Sequence, residues 1–318
     1  MHEGFRKTTL IMAKILIATD KPFAPVAVKG IREIVEGAGD ELVLLEKYGE
    51  KAKLLEAVKD VEAIIIRSDV IDAEVFDAAK NLKIVVRAGA GYDNVDLAAA
   101  TAHKVCVMNT PGQNSNAVAE LVFGLLVYCV RKFYNGTSGT ELKGKRLGIL
   151  AYGNVGRNVA RIAKGFGMDV YAYDEYCPAS VIEADGTKAV ASTAELFKSC
   201  QIVSLHIPAT AETKNSINYE LLSSMPKNAI LVNTARKEVI NEADLLKIMA
   251  DREDFRYVAD IKPDVAAELT EKYPDRYFGT PKKMGAQTSE ANINAGLAAA
   301  RQIESFLKEG NEKFRVNK

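Results

Sequence analysis

The chain has 318 residues, enough for two hydrophobic cores of roughly 150 residues each by the surface-to-volume limit on single domains. Apolar residues make up 48% and charged residues 26%, which excludes collagen-like and disordered chains. The 42 Lys and Arg balance the 42 Asp and Glu, so there is no basic excess of the kind a nucleic-acid binder uses against phosphates.

In chain order, residues 1–11 lack the apolar core of a secretory signal and read as an unstructured extension before Met12. Five short β-branched runs follow, at 13–18, 42–45, 63–66, 83–86 and 105–108. The stretches between them carry apolar residues three and four apart, such as Ile31, Ile34 and Val35. Continuous apolar strands alternating with helices predict an α/β protein with a parallel sheet covered on both faces. Residues 111–116 supply a turn and cap candidates for a helix running to about Lys132. Its apolar residues (Val118, Leu121, Val122, Leu125, Leu126, Cys129 and Val130) cover more than one face, so it is either a subunit interface or an ordinary core helix. The longest apolar run, 117–130, falls short of the ~20 residues needed to cross a bilayer and contains Glu120, so no membrane span is expected.

Residues 135–139 (Asn-Gly-Thr-Ser-Gly) read as a flexible joint. A second winding then begins, with strands at 146–150, 169–173, 202–205, 229–233 and 257–259. An Ala-rich helix from 291 to about 307 and a short run at 313–316 close the chain. The four cysteines are widely separated, with no Cys-x-x-Cys pair, which argues against disulfides and zinc and suits a reducing cytoplasm. No metal site is expected.

The strand at 146–150 leads into Ala151-Tyr-Gly-Asn-Val-Gly156 and then a helix, which is a dinucleotide fingerprint with alanine in the first glycine slot. Gly153 allows close approach of a pyrophosphate, the backbone through Asn154 and Val155 opens the helix, and Gly156 lets that helix pack on the strand. Asp174 ends the next strand, where a carboxylate bonds a ribose diol and repels a 2′-phosphate, so NAD is favoured over NADP. Hydride transfer to a keto acid also needs a cation to hold the substrate and an acid to protonate the new alkoxide. Arg236 ends a parallel strand and offers a planar fork for a carboxylate, although on spacing alone a surface arginine is the better reading. The chain has three histidines, His2, His103 and His206, and none follows residue 206. His206 ends a strand and either faces the cofactor or is satisfied by a backbone carbonyl. His103 follows a helix and is expected to be exposed.

At this point the chain resembles the D-isomer-specific 2-hydroxyacid dehydrogenases over nearly its whole length, and most closely the phosphoglycerate dehydrogenases among them. The resemblance is carried by Arg87-Ala-Gly-Ala-Gly-Tyr-Asp-Asn-Val-Asp96, Asn109-Thr-Pro-Gly-Gln-Asn114, the glycine turn with Asp174, Leu205-His-Ile-Pro208, and Asn233-Thr-Ala-Arg236. It implies two doubly wound parallel-sheet domains. A Rossmann NAD-binding domain (111–291) is inserted in a flavodoxin-like substrate domain (12–110 and 292–318), with the active site in the cleft and a homodimer held by the helix after Asn114. It also implies that Arg236 holds the substrate's carboxylate and carbonyl, that Ala90 and Gly91 present backbone N–H groups to that carboxylate, and that Asn114 stands beside them. His206, Ile207, Pro208, Thr213, Thr234, Ala235, Asp260, Gly285 and Ala286 match cofactor-lining positions.

One departure stands out. The family's Thr-Pro-His becomes Thr-Pro-Lys-Lys-Met-Gly-Ala-Gln-Thr at 280–288. Anchoring on Gly285, Ala286 and Thr288 puts Lys283 in the histidine slot; anchoring on Pro281 puts Lys282 there. A subgroup of the family uses lysine in place of the histidine–glutamate pair, and this chain is similar to it. A closed cleft near Arg236 is expected to lower the lysine pKa from about 10.4. No carboxylate clearly follows Asp260 as the family's Glu does; Asp264 and Glu268 are weak candidates.

Arg67 and Ser68 end a strand with a charge and a hydroxyl suited to a phosphate, and Lys21 ends the first strand. The competing reading pairs Arg67 with Asp69 or Asp93. The corresponding Arg-Ser loop of the resembling enzymes reads the 3-phosphate. The expected activity is NAD-dependent oxidation of D-3-phosphoglycerate on the way to serine, in the cytoplasm, with a small-molecule substrate and no nucleic-acid or membrane partner. The chain is expected to lack a regulatory domain and serine feedback. The rival readings are a glyoxylate or hydroxypyruvate reductase and a non-catalytic NAD sensor of the corepressor kind.

Overall fold

A computed structural model describes residues 12–317, so the expected extension at 1–11 lies outside the described residues. The chain divides into two compact units: residues up to Asn114 with Ser289 onward, and Ser115–Thr288.

The first unit opens with β1 (Lys14–Thr19), α1 (Pro25–Gly37), β2 (Glu41–Glu46), α2 (Lys51–Ala57) and β3 (Ala63–Ile66). It continues with α3 (Ala73–Ala78), β4 (Ile84–Arg87), α4 (Leu97–Ala102) and β5 (Cys106–Asn109). The strands form one parallel sheet in the order β2-β1-β3-β4-β5, so the winding reverses between β1 and β3. The period-2 alternation of strand side chains divides this unit's apolar residues between two faces. Ile15, Ile17, Ile65 and Val86 pack on α1, while Leu16, Ile64, Ile66 and Val85 pack on α2 and α3.

The second unit opens with the expected long helix, α5 (Ser115–Val130), followed by β6 (Arg146–Leu150), α6 (Asn154–Gly165), β7 (Asp169–Tyr173), α7 (Ala179–Ala184) and β8 (Lys188–Ala189). Next come α8 (Thr193–Ser199), β9 (Ile202–Leu205), α9 (Tyr219–Ser224), β10 (Ile230–Asn233), α10 (Glu242–Asp251), β11 (Arg256–Ala259), α11 (Ala266–Lys272) and β12 (Tyr277–Gly279). The order is β12-β11-β10-β9-β6-β7-β8, all parallel, and the winding reverses between β6 and β9. The chain then returns to the first unit as α12 (Ser289–Glu309), whose Ala295, Ala299 and Ile303 cover the α1 face of that sheet.

Within its own unit α5 is a core helix: Ala119, Val122, Leu125, Leu126 and Cys129 are buried against the sheet, with Leu121 and Val127 half-buried. It stops at Val130, short of the expected end. Lys132, Phe133 and Tyr134 follow with φ of 51°, 52° and 55°, three successive residues in left-handed backbone. Each costs about 1–2 kcal/mol. The Phe133 ring packs on Tyr128 (5.0 Å) and Phe278 (6.2 Å), and these contacts offset part of that cost. The expected joint at 135–139 is folded back onto the helix: Thr140 N donates to Val130 O, and a Cβ on Gly139 would lie 2.3 Å from the same oxygen. The run at 313–316 makes a single antiparallel bridge, Arg315 to Met108, rather than a strand. Among the described residues no helix is long and apolar enough to cross a membrane.

Lys132 is exposed, so glycine there relieves left-handed strain without losing packing. Lys132→Gly is expected to raise stability by about 0.5–1 kcal/mol after the entropy of a more flexible unfolded chain is subtracted. Urea unfolding of the two proteins side by side measures it.

Candidate active site

In the second unit the turn after β6 stands where the winding reverses, the position at which open α/β sheets take ligands. Ala151 has φ +77°, so the first glycine slot keeps its left-handed backbone although it carries a Cβ. The turn is held from both sides: Ala151 N donates to Tyr173 O (2.9 Å) and Tyr152 N to Asp174 Oδ2 (2.6 Å). A Cβ on Gly156 would lie 2.3 Å from Ala151 O, so α6 packs this close only with glycine there. A Cβ on Gly153 would meet nothing within 4 Å, so open space lies over that residue. Gly153 is also the N-cap of α6 and offers no side-chain cap to the N–H groups of the first turn. By contrast, Ser192 caps α8 and Asn241 caps α10. An open glycine next to uncapped amides at a helix N-terminus is an anion cradle.

Asp174 is half-buried; its Oδ1 accepts from Tyr176 N and Cys177 N, both at 2.8 Å. His206 follows β9, its backbone N donating to Leu150 O and its Nε2 lying 2.9 Å from Ser204 Oγ. The ring partner is therefore a buried hydroxyl rather than a backbone carbonyl, and burial depresses the imidazole pKa to about 4. Ile207 is half-buried and Pro208 exposed; Thr213 Oγ1 donates to Pro208 O and closes the following loop. Thr234 Oγ1, at the end of β10, is buried with no hydrogen-bond partner among the described residues.

Asn233 braces the turn that presents Arg236: its Nδ2 donates to Arg236 O (2.8 Å) and its Oδ1 accepts from Ala235 N (2.9 Å). The guanidinium donates to Ala235 O and forms no ion pair among the described residues.

Asp260, 1% exposed at the end of β11, accepts from Met284 N (2.7 Å), Gly285 N (2.8 Å) and Thr280 Oγ1 (2.9 Å). Lys282 and Lys283 are exposed in the turn so anchored, and Ala286 is half-buried just beyond it. Asp264 pairs with Lys237 and Glu268 with Lys272, so both acidic residues after Asp260 have other partners. The thiols of Cys106, Cys129 and Cys200 are pushed up by burial to about 11, 12 and 12, which leaves them protonated at neutral pH. Among the described residues no group of His, Cys, Asp and Glu gathers as metal ligands.

In the first unit the winding reverses between β1 and β3, and Arg67 follows β3. Its Nη1 donates to Lys21 O (2.9 Å) and Pro22 O (3.0 Å), its Nη2 to Asn292 Oδ1 (2.7 Å), and its plane lies over the Phe23 ring. None of these acceptors is charged. Asp69, one of the two partners in the competing reading, accepts from Asp20 N, Tyr48 Oη and the backbone N of Arg67. The guanidinium is half-buried and burial lowers its pKa, yet arginine stays charged. Ser68 beside it is exposed.

Arg87 Nε and Asn94 Nδ2 donate to Arg67 O, and Asn109 Nδ2 donates to Ala90 O (2.6 Å). A Cβ on Gly89 (φ +151°) would overlap the Arg87 guanidinium, which therefore lies directly on that backbone. Gly91 and Asn114 are half-buried and Ala90 is exposed. Sequence reasoning did not single out Arg87, Asn94, Ser204, Thr280 or Asn292. Arg87 and Asn94 lie inside a motif already in view, whereas Asn292 meets Arg67 across 225 positions and leaves no local signal.

Residues 128–272 match the family described as D-isomer specific 2-hydroxyacid dehydrogenase, NAD binding domain. A D-3-phosphoglycerate dehydrogenase of Methanocaldococcus jannaschii is 35% identical over 295 residues, covering 85% of this chain and 56% of that protein. The chain thus spans little more than half the length of that relative. A hydroxypyruvate reductase of Thermotoga maritima is 34% identical over 284 residues, covering 83% of this chain and 90% of that one. Among solved structures, the NAD+-bound 3-phosphoglycerate dehydrogenase of Entamoeba histolytica is 48% identical with a TM-score of 0.85, covering 96% of this chain and 99% of that one.

The depressed His206 pKa predicts a pH dependence of stability. The unfolded imidazole, near 6.5, binds a proton that the folded one refuses until about pH 4. The folded state therefore loses stability as pH falls from about 6.5 to about 4, by at most about 3–4 kcal/mol at 1.36 kcal/mol per unit. His206→Gln is expected to flatten this limb in urea unfolding across that range.

Proposed function

The chain belongs to the D-isomer-specific 2-hydroxyacid dehydrogenase family, and on that premise we propose that it oxidises D-3-phosphoglycerate to 3-phosphohydroxypyruvate with NAD, on the route to serine. The observation that carries the phosphate is Arg67: a cation at a switch point, aimed by three neutral acceptors, with its guanidinium bonded to no carboxylate among the described residues. The exposed Ser68 hydroxyl beside it is a second donor to the same group, and Lys21 adds charge at the end of β1.

The residues of the second unit fit the dinucleotide. Gly153, Asn154, Val155 and Gly156 offer backbone N–H groups to the pyrophosphate, under the open space over Gly153. Asp174 takes the ribose diol, and Thr234 Oγ1 is a buried polar atom still in need of a partner. His206, Ile207, Pro208, Thr213, Ala235, Gly285 and Ala286 line the remainder. Bound NAD supplies the acceptor or donor of the hydride at substrate C2.

The chain's own residues do the rest. Arg236 pairs with the substrate carboxylate and polarises the C2 oxygen, with its charge fixed at any working pH. The N–H groups of Ala90 and Gly91 bond the carboxylate, and Asn114 stands beside them. Lys283 Nζ takes the proton of the C2 hydroxyl as C2 becomes a carbonyl, and returns it in the reverse direction. The partly exposed Leu121, Val127 and Tyr128 of α5 are the surface we assign to a homodimer. The four free thiols suit a reducing cytoplasm.

A second reading, reduction of hydroxypyruvate, is favoured by the Thermotoga maritima relative, of which this chain covers 90%. NADH oxidation with phosphohydroxypyruvate and hydroxypyruvate side by side separates the two. Arg67→Ala is expected to raise KM for the phosphorylated substrate about 10- to 100-fold, the worth of a charge-assisted contact, and to leave the plain keto acid nearly unchanged. Equal effects on both substrates overturn the phosphate assignment. Lys283→Ala is expected to lower kcat about 10²–10⁴-fold, against little change for Lys282→Ala. No turnover by the unaltered chain with any keto acid points instead to a non-catalytic NAD sensor.

A further inference from the structure

We propose that Asp260 is a positioning residue for the proton-transferring lysine: its buried carboxylate and the Thr280 hydroxyl grip the two peptide groups on either side of Lys283 and so fix where its side chain begins. The inference rests on the reading of Lys283 as the acid–base group.

A peptide plane is fixed once its N–H or its C=O is tied to a rigid partner, because only φ and ψ are soft. The plane after Lys283 carries Met284 N, which donates to Asp260 Oδ1 at 2.7 Å. The plane before Lys283 carries Lys282 O, which lies 2.8 Å from Thr280 Oγ1. That hydroxyl has one proton to share among Lys282 O, Asp260 O (2.8 Å) and Asp260 Oδ1 (2.9 Å), so the plane before Lys283 is steadied by a shared bond and the plane after it by a full one. A third bond, from Gly285 N to Asp260 Oδ2 at 2.8 Å, closes the turn. The carboxylate comes this near only because residue 285 has no side chain: a Cβ would lie 3.0 Å from Oδ2 and 3.2 Å from Val118 Cγ2. With Asp260 1% exposed, water offers these amides little competition.

The arrangement also distinguishes the two lysines. Lys283 has the plane after it bonded to Asp260 and the plane before it in shared contact with Thr280, whereas Lys282 has only that shared contact. A lysine has four flexible torsions, so its amine is delivered reproducibly only from a fixed backbone. Displacing a reacting group by about 1 Å costs roughly 10²-fold in rate.

The test is a double-mutant cycle on phosphohydroxypyruvate reduction, with Asp260→Asn, Lys283→Ala and both together. Asn keeps the shape but turns an NH2 toward one of the two anchored amides. Asp260→Asn alone is expected to lower kcat about 10- to 100-fold with substrate KM and NADH affinity, from fluorescence titration, within about threefold. Amide hydrogen exchange at Met284 and Gly285 should quicken. In the Lys283→Ala background the same change should cost nothing further.

An equal loss in both backgrounds overturns the inference while leaving the lysine reading intact, as does a rise in NADH dissociation constant matching the fall in rate, or an unchanged kcat. A Lys283→Ala enzyme with full turnover overturns the acid–base reading and this inference with it. If Asp260→Asn fails to fold, Thr280→Val carries the same cycle, since it frees Lys282 O while leaving the carboxylate in place.

Discussion

A guanidinium held by carbonyl and amide oxygens keeps its charge available, and this chain sets two of them that way. Arg67 is aimed by Lys21 O, Pro22 O and Asn292 Oδ1, and Arg236 by Ala235 O. Neutral acceptors fix direction without cancelling charge, so an arriving anion meets a cation that is already oriented and displaces no carboxylate. The half-buried Arg67 has lost hydration, as its lowered pKa records, and a bound anion restores what burial removed. Asp69 stands two residues away and is the obvious competitor. Its oxygens accept from Asp20 N, Tyr48 Oη and Arg67 N, so its charge reaches the guanidinium through space and not by a bond.

Where these charges sit follows from strand order. In each sheet the winding reverses once, between β1 and β3 and between β6 and β9, and the loops leaving those strands diverge. Arg67 leaves one such point and the 151–156 turn leaves the other. The second turn carries strain: Ala151 holds a left-handed φ that glycine would adopt freely. Bonds from Ala151 N to Tyr173 O and from Tyr152 N to Asp174 keep it there. Asp174 is thus committed to the turn's shape, its two oxygens holding Tyr152 N on one side and Tyr176 N and Cys177 N on the other.

Most of this architecture was legible in the sequence because its determinants are local. Four-residue runs such as Ala-Ile-Ile-Ile at 63–66 are buried throughout, which only a sheet covered on both faces satisfies. The edge strands β8 and β12 escaped because two or three residues give no periodicity to read. The left-handed stretch at 132–134 escaped because Lys, Phe and Tyr carry no signal for that backbone; it follows from packing of Phe133 on Tyr128 and Phe278. At the site, residue types at strand ends were readable, but their partners were not. Asn292 on Arg67 and Asp260 on Met284 are tertiary facts.

On the proposed reading that puts Lys283 in the histidine slot, one residue is inserted before it, and the bonds of the loop fit such an insertion. An extra residue between Pro281 and Gly285 lengthens a turn whose far end must still fit under Val118. The slack is taken up at Lys282, whose carbonyl is met by Thr280, and the register is recovered at Met284 and Gly285, whose amides share one carboxylate. The histidine that the family carries needs a carboxylate to set its protonation. A lysine needs the reverse, because a nearby acid holds its proton on. Asp264 and Glu268 pair with Lys237 and Lys272, and Asp260 spends its oxygens on backbone amides and a hydroxyl. A buried carboxylate bonded to two amides steadies the turn that carries Lys283.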